Sequence, residues 1–103
     1  MSNTVSYAGY TFTVYTKTGT TWNAKAGVYM FASLNSNQKW DVHYVGQCDS
    51  FEDRIPSHER WEDARRLGAT HVLAVVVSLQ ADRDALEQHA IQDFQPPLNT
   101  HYR

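Results

Sequence analysis

Two tripeptides constrain this chain more than anything else in it. Gly27-Val28-Tyr29 and Tyr44-Val45-Gly46 each set a glycine and a tyrosine around a β-branched residue, and their tyrosines lie fifteen positions apart. β-Branched and aromatic side chains favour a pleated, half-buried surface. Residues 26–33 and 40–46 therefore predict two strands, and Leu34 to Lys39, rich in Asn and Ser, predicts the turn between them. A hairpin centred between Ser36 and Asn37 pairs residues whose numbers sum to 73, which sets Tyr29 directly opposite Tyr44 on one sheet face.

The remaining segments supply the partners such a hairpin needs. In residues 5–15, Tyr10, Phe12 and Val14 alternate with Thr11, Thr13 and Tyr15, the period of a strand. Residues 16–25 are polar and read as a connection. Asp49 with Glu52 three residues on resembles a helix N-cap with its returning acid, and Pro56 stops that short helix after Ile55. Ser57 can cap a second helix running to about Leu67, with Gly68 as terminator. His71 to Leu79 is short and almost continuously aliphatic, as a central strand covered on both faces would be. Residues 80–94 form a last helix, ended by Pro96-Pro97. The expected fold is α/β (α+β): one small, mainly antiparallel sheet flanked by helices. An extra N-terminal strand within 1–25 extends the same domain, whose main part is 26–103.

Bulk properties narrow the function classes. A chain of 103 residues with 42% hydrophobic and 19% charged residues is an ordinary globular domain. Cys48 is the single cysteine, which excludes an intrachain disulfide and suggests an intracellular, cytoplasmic setting. Met1-Ser2-Asn3-Thr4 opens no apolar run, and the longest aliphatic stretch, Val72 to Val77, is too short to span a membrane. The net charge of −2 provides no global attraction for nucleic acid. Arg60, Arg65 and Arg66 are interleaved with Glu59, Glu62 and Asp63, as on a mixed, solvated helix face.

Against that background a few polar residues stand out. On the last helix, Leu79, Leu86, Ala90, Ile91 and Phe94 share one arc, and Glu87 falls inside it. A carboxylate on a core-facing stripe needs either an ion pair, for which Arg83 lies one turn earlier, or a metal ion. Arg54 is either a surface partner of Glu52 or Asp53 or a planar clamp for phosphate. Tyr29 and Tyr44 are either half-buried sheet tyrosines or proton and phosphate handlers. His58 and Asn99 divide in the same way, between a structural histidine or turn cap and a working polar group. Cys48 with His58 lacks an orienting third group for thiol chemistry, and the histidines at 43, 58, 71, 89 and 101 lack the paired spacing of zinc sites. Trp22, Trp40 and Trp61 suit packing first and base stacking second. Two phenols, a guanidinium and an isolated carboxylate together suit phosphodiester cleavage with one divalent ion.

From Ala26 to Asn99 the chain resembles the GIY-YIG nuclease family. The two tripeptides match its two motifs with Val in place of Ile. Gln47, a small residue at Cys48, an apolar residue at Phe51, and Arg54 follow at the family's spacing, as does His58 four residues later. Glu87 on the final helix and Asn99 after Pro96-Pro97-Leu98 complete the ordered set. The resemblance implies a metal-dependent endonuclease acting on DNA, with the catalytic set Tyr29, Tyr44, Arg54, His58, Glu87 and Asn99. Glu87 would hold one Mg²⁺ (or Mn²⁺). Tyr29 would be the general base or orient the water, Tyr44 would bond to the phosphate or water, and Arg54 would clamp a phosphate oxygen. His58 would relay a proton or contact phosphate, and Asn99 would brace Glu87 or the sheet end. The acidic balance leaves an alternative: a nuclease fold that binds without cutting, or that needs a protein partner to supply DNA affinity.

Overall fold

The computed structural model describes residues 3–100. In chain order the elements are β1 (Thr4–Tyr7), β2 (Tyr10–Thr16), β3 (Gly27–Leu34), β4 (Trp40–Cys48), α1 (Phe51–Arg54), α2 (Trp61–Arg66), β5 (His71–Val76) and α3 (Gln80–Phe94). The five strands form one sheet in the order β1-β2-β5-β3-β4, antiparallel throughout. The aliphatic strand β5 is central, and α3 spans 80–94 as its periodicity predicts.

Alternation along the strands splits the core into two layers. Val28, Met30, Ala32, Val45 and Leu73 pack with Leu86, Ala90 and Ile91 of α3. Tyr29, Phe31, Cys48, Val72 and Ala74 point the other way and pack with Phe51 and Ile55 at α1 and Ala64 of α2. Each side of the sheet is thus covered by helix, as its nearly all-apolar β3 and β5 require.

Several local features differ from the sequence expectation. The added N-terminal strand is present as β2, and β1 folds back on it through Ala8 and Gly9, with Tyr7 opposite Tyr10. Both turn residues have positive φ (53° and 82°), the conformation that lets a two-residue hairpin follow the strand twist. In the β3–β4 hairpin, the Asn35 side chain accepts the N–H groups of Asn37 and Lys39 (2.9 and 3.1 Å). Further along, Phe31 pairs with Tyr44 but Ala32 pairs with Val42, so His43 is an extra, bulged residue. The turn itself is centred on Asn37, with Leu34 opposite Trp40, which adds one residue of shift to that of the bulge, so Tyr29 lies opposite Gly46 and not opposite Tyr44. The shift amounts to two residues in total, so both tyrosines keep the same face.

The first helix is capped by Ser50, not Asp49: the Ser50 hydroxyl accepts the Asp53 N–H. The second helix starts at Trp61, not after Ser57, because the His58 ring accepts the Arg60 backbone N–H (3.0 Å) and holds a turn before it. On α3, Leu79 and Phe94 at the ends of the apolar arc are exposed, while Arg83 is buried. Its guanidinium donates to the Val77 and Ser78 carbonyls (3.0 and 2.8 Å), tying the start of α3 to the connection that follows β5.

Candidate active site

The glycines of the two tripeptides are explained by close approach. A Cβ on Gly46 would stand 2.5 Å from Tyr29 Oη and 2.6 Å from Cζ, so the bare backbone of β4 is what the Tyr29 ring lies across. A Cβ on Gly27 would collide with the Val75 carbonyl and the Phe51 ring. The second motif thus makes room for the tyrosine of the first.

Around Tyr29 the structure gathers Tyr44, His58 and Arg54. The Tyr29 and Tyr44 rings are 6.4 Å apart, and His58 stands edge-on to both, at 5.4 and 5.2 Å. Phe31 closes the cluster against His58 and Tyr44. His58 is buried in the turn between α1 and α2, and its Nε2 is 2.6 Å from Tyr29 Oη. Burial and the nearby Arg54 charge push its pKa down to about 4, so the ring is neutral near pH 7. Its Nδ1 accepts the Arg60 N–H. The single ring proton is therefore on Nε2, and His58 donates to the Tyr29 oxygen. Burial raises the phenol pKa of both tyrosines, and Arg54 opposes that rise in each. Cys48 is buried with its thiol pKa raised, chiefly by desolvation, which fits packing and not nucleophilic chemistry.

Arg54 pairs with neither Glu52 nor Asp53. Its two terminal nitrogens donate to the two oxygens of Glu59, at 2.6 and 2.8 Å. The other arginines of this stretch form the expected mixed surface, with Arg60 and Arg66 on Asp63 and Arg65 on Glu62.

Glu87 approaches from the α3 side of the sheet. Among the described residues it forms no ion pair, and Arg83 instead engages Asp49, Gln80 and the two carbonyls. Its bond comes from the Gln47 amide, whose Nε2 lies 3.1 Å from Glu87 Oε1 and 2.7 Å from Asp84 Oδ1. Gln47 follows Gly46 directly, so edge strand β4 connects the phenol cluster to the acid. Glu87 lies near enough to Tyr44 to contribute to the rise of its phenol pKa. Sequence reasoning placed Gln47 in the motif but gave it no task, because only the packing of α3 on β4 shows its partners.

Asn99 does not contact Glu87 through its amide. It pairs with the backbone of Val45, accepting the N–H at 2.8 Å and donating to the carbonyl at 2.9 Å. With Leu98 N–H on the His43 carbonyl, it seals the outer edge of β4 beside Tyr44 and Gly46. Of the tryptophans, Trp22 is buried against Tyr15 and Phe51, Trp40 meets His71, and Trp61 stands edge-on to Phe31 beneath Lys17. All three are packed as the sequence suggests first. No group of three His, Cys, Asp or Glu side chains suited to a metal occurs among the described residues, and His101 lies outside them.

The sheet order, the flanking helices and the paired motifs define the GIY-YIG nuclease fold. The GIY-YIG N-terminal endonuclease domain of UvrC from Thermotoga maritima, bound to magnesium, superposes with a TM-score of 0.60 at 23% identity, covering 77% of this chain and 88% of that one. An asparagine-to-alanine variant of that domain, bound to its catalytic divalent cation, matches with a TM-score of 0.61 at 21% identity over 78% and 88%. A tyrosine-to-phenylalanine variant gives 0.60 at 24% over the same shares. At these identities the likeness is one of fold. No protein-family model and no curated protein matches the sequence. No helix among the described residues is long and apolar enough to cross a membrane.

Proposed function

We propose that this chain is a divalent-cation-dependent endonuclease that hydrolyses a phosphodiester bond of DNA. The reading rests above all on the convergence of Tyr29, Tyr44, His58 and Arg54 beside a strand that leads directly to Glu87. Glu87 fits a cation: it is a half-buried carboxylate, bonded by a neutral amide and matched by no basic side chain among the described residues. It would be the one protein ligand, with water and phosphate oxygens completing a hard-oxygen shell for Mg²⁺ or Mn²⁺. When bound, the ion supplies positive charge opposite the developing phosphate and leaving-group charge.

The remaining steps belong to the chain's own residues. His58 donates to the Tyr29 oxygen, so the phenol's own proton points elsewhere, and its oxygen can orient a water. Any phenolate character formed at Tyr29 is supported by that N–H and by Arg54. Arg54, released from Glu59, would present a planar fork to phosphate oxygens, and Tyr44 would add a hydroxyl. Asn99 acts through Val45 by fixing the strand that carries Tyr44 and Gly46.

The test is nicking of a supercoiled plasmid by the purified chain with Mg²⁺ or Mn²⁺. Conversion to open circles that stops with chelator and with Glu87→Ala supports the proposal; conversion that survives Glu87→Ala overturns it. The second reading, binding without cutting or cutting only with a protein partner, is favoured by one observation. Arg54, Arg60, Arg65 and Arg66 are each engaged by a neighbouring carboxylate, so little positive surface is left for DNA. That reading predicts DNA retention or nicking that appears only when a second chain is added.

A further inference from the structure

We propose that Glu59 is a built-in, displaceable occupant of the phosphate clamp, a carboxylate that holds Arg54 where substrate oxygens would bind and so sets the affinity of the site for phosphodiesters. The inference rests on the reading of Arg54 as that clamp. The contact has the form a phosphate would make: two parallel N–H donors on two oxygens of one anion, at 2.6 and 2.8 Å. It also differs from the other ion pairs nearby. Arg60–Asp63, Arg65–Glu62 and Arg66–Asp63 join residues three apart on or at the start of α2. Glu59 instead reaches from the turn after His58 back to the end of α1, to an arginine whose charge acts on both Tyr29 and Tyr44.

Exposure makes the carboxylate removable. Its side chain is 65% exposed, so swinging away returns it to water at little desolvation cost. Arg54 lies partly under cover, at 37%, close enough for its charge to act on both phenols. Exposed ion pairs are weak, so an incoming phosphate loses at most about fivefold in affinity to this competitor. A substrate that also reaches the cation site and Tyr44 can meet that penalty, whereas a loosely placed backbone phosphate cannot. Glu59 thereby favours phosphodiesters held by several contacts over non-specific DNA, in keeping with a net charge of −2.

The experiment is fluorescence anisotropy of a labelled duplex oligonucleotide with Ca²⁺ in place of Mg²⁺, for the wild-type chain, Glu59→Gln, Glu62→Gln, Arg54→Ala and the Arg54→Ala/Glu59→Gln double variant. Glu62→Gln removes the same charge from a pair that does not involve Arg54. The expected result is that Glu59→Gln tightens binding about two- to fivefold and steepens the salt dependence by about one phosphate contact. Glu62→Gln changes affinity less than about twofold, and the gain from Glu59→Gln vanishes when Arg54 is alanine. Equal gains from Glu59→Gln and Glu62→Gln, or a gain that persists without Arg54, would reduce the effect to general charge and overturn the proposal. If Arg54→Ala weakens binding while Glu59→Gln does nothing, only the role of Glu59 fails. If Arg54→Ala leaves binding unchanged, the clamp reading fails and takes this inference with it.

Discussion

His58 Nε2 donates its proton to Tyr29 Oη across 2.6 Å, and the direction is fixed by Arg60, whose backbone N–H occupies Nδ1. In this arrangement the histidine is the donor and the phenol oxygen the acceptor. Tyr29→Phe leaves that buried N–H without a partner. Unfolding in urea should show a loss of about 1–3 kcal/mol. Under the proposed function, nicking should drop at least about 100-fold, the loss expected when a proton-handling group is removed.

The same pair gives a pH signature. In the folded chain the His58 pKa is lowered to about 4 by burial first and Arg54 second, against 6.5 for a free imidazole. The unfolded chain therefore takes up the proton first as pH falls. His58's contribution is fully present above about pH 6.5 and is lost progressively down to about pH 4, by at most about 3 kcal/mol. Glu59, lowered to about 2 by Arg54, loses its contribution only at lower pH, from about 4.5 downward. Melting curves between pH 7.5 and 4 should show the decline in wild type and a flatter profile in His58→Phe.

Gly46→Ala sets a methyl group against the Tyr29 ring, where the nearest atoms lie 2.5–2.9 Å from the new carbon. The ring must move off β4. Denaturant melts should show a loss of roughly 1–3 kcal/mol, and the Tyr29-dependent nicking should vanish with the displaced hydroxyl.

Asn99→Ala strips both partners from the Val45 peptide. The expected cost is about 2–4 kcal/mol from two lost backbone bonds at a buried position. Amide hydrogen exchange should locate it, with faster exchange at Val45 and little change in β5.

Glu87→Gln keeps an acceptor for the Gln47 amide but removes the charge. Its stability should stay within about 0.5 kcal/mol of wild type. Mn²⁺ binding, read by electron paramagnetic resonance, should be lost, and nicking should fall at least about 100-fold if the ion carries the phosphate charge.

Much of the fold can be read from the chain because its signals are local. The α3 span, the aliphatic β5 and the paired tripeptides follow from periodicity and residue type within short windows. What escaped reading depends on single atoms or distant partners. The Ala8-Gly9 turn divides what looks like one alternating run into two strands. The His58 ring takes the Arg60 N–H, the donor that a Ser57 cap would have accepted, and α2 starts only at Trp61. Arg83 sits on the buried arc because two carbonyls in the connection from β5 to α3 accept its bonds there, and neither is visible in the spacing of α3.

The same division runs through the candidate site. Sequence alone set which side chains are available and in what order: a tyrosine on each of two strands, then Arg54, His58, Glu87 and Asn99, since side-chain type and strand period are properties of the chain itself. Tertiary structure decided who touches whom. The hairpin turn and a bulge at His43 together put Tyr29 over Gly46, helix packing put Glu87 beside Gln47, and a turn put Glu59 on Arg54. Hydrogen bonds and ion pairs act over about 3 Å, and contacts at that range between residues far apart in sequence exist only once the chain has closed on itself.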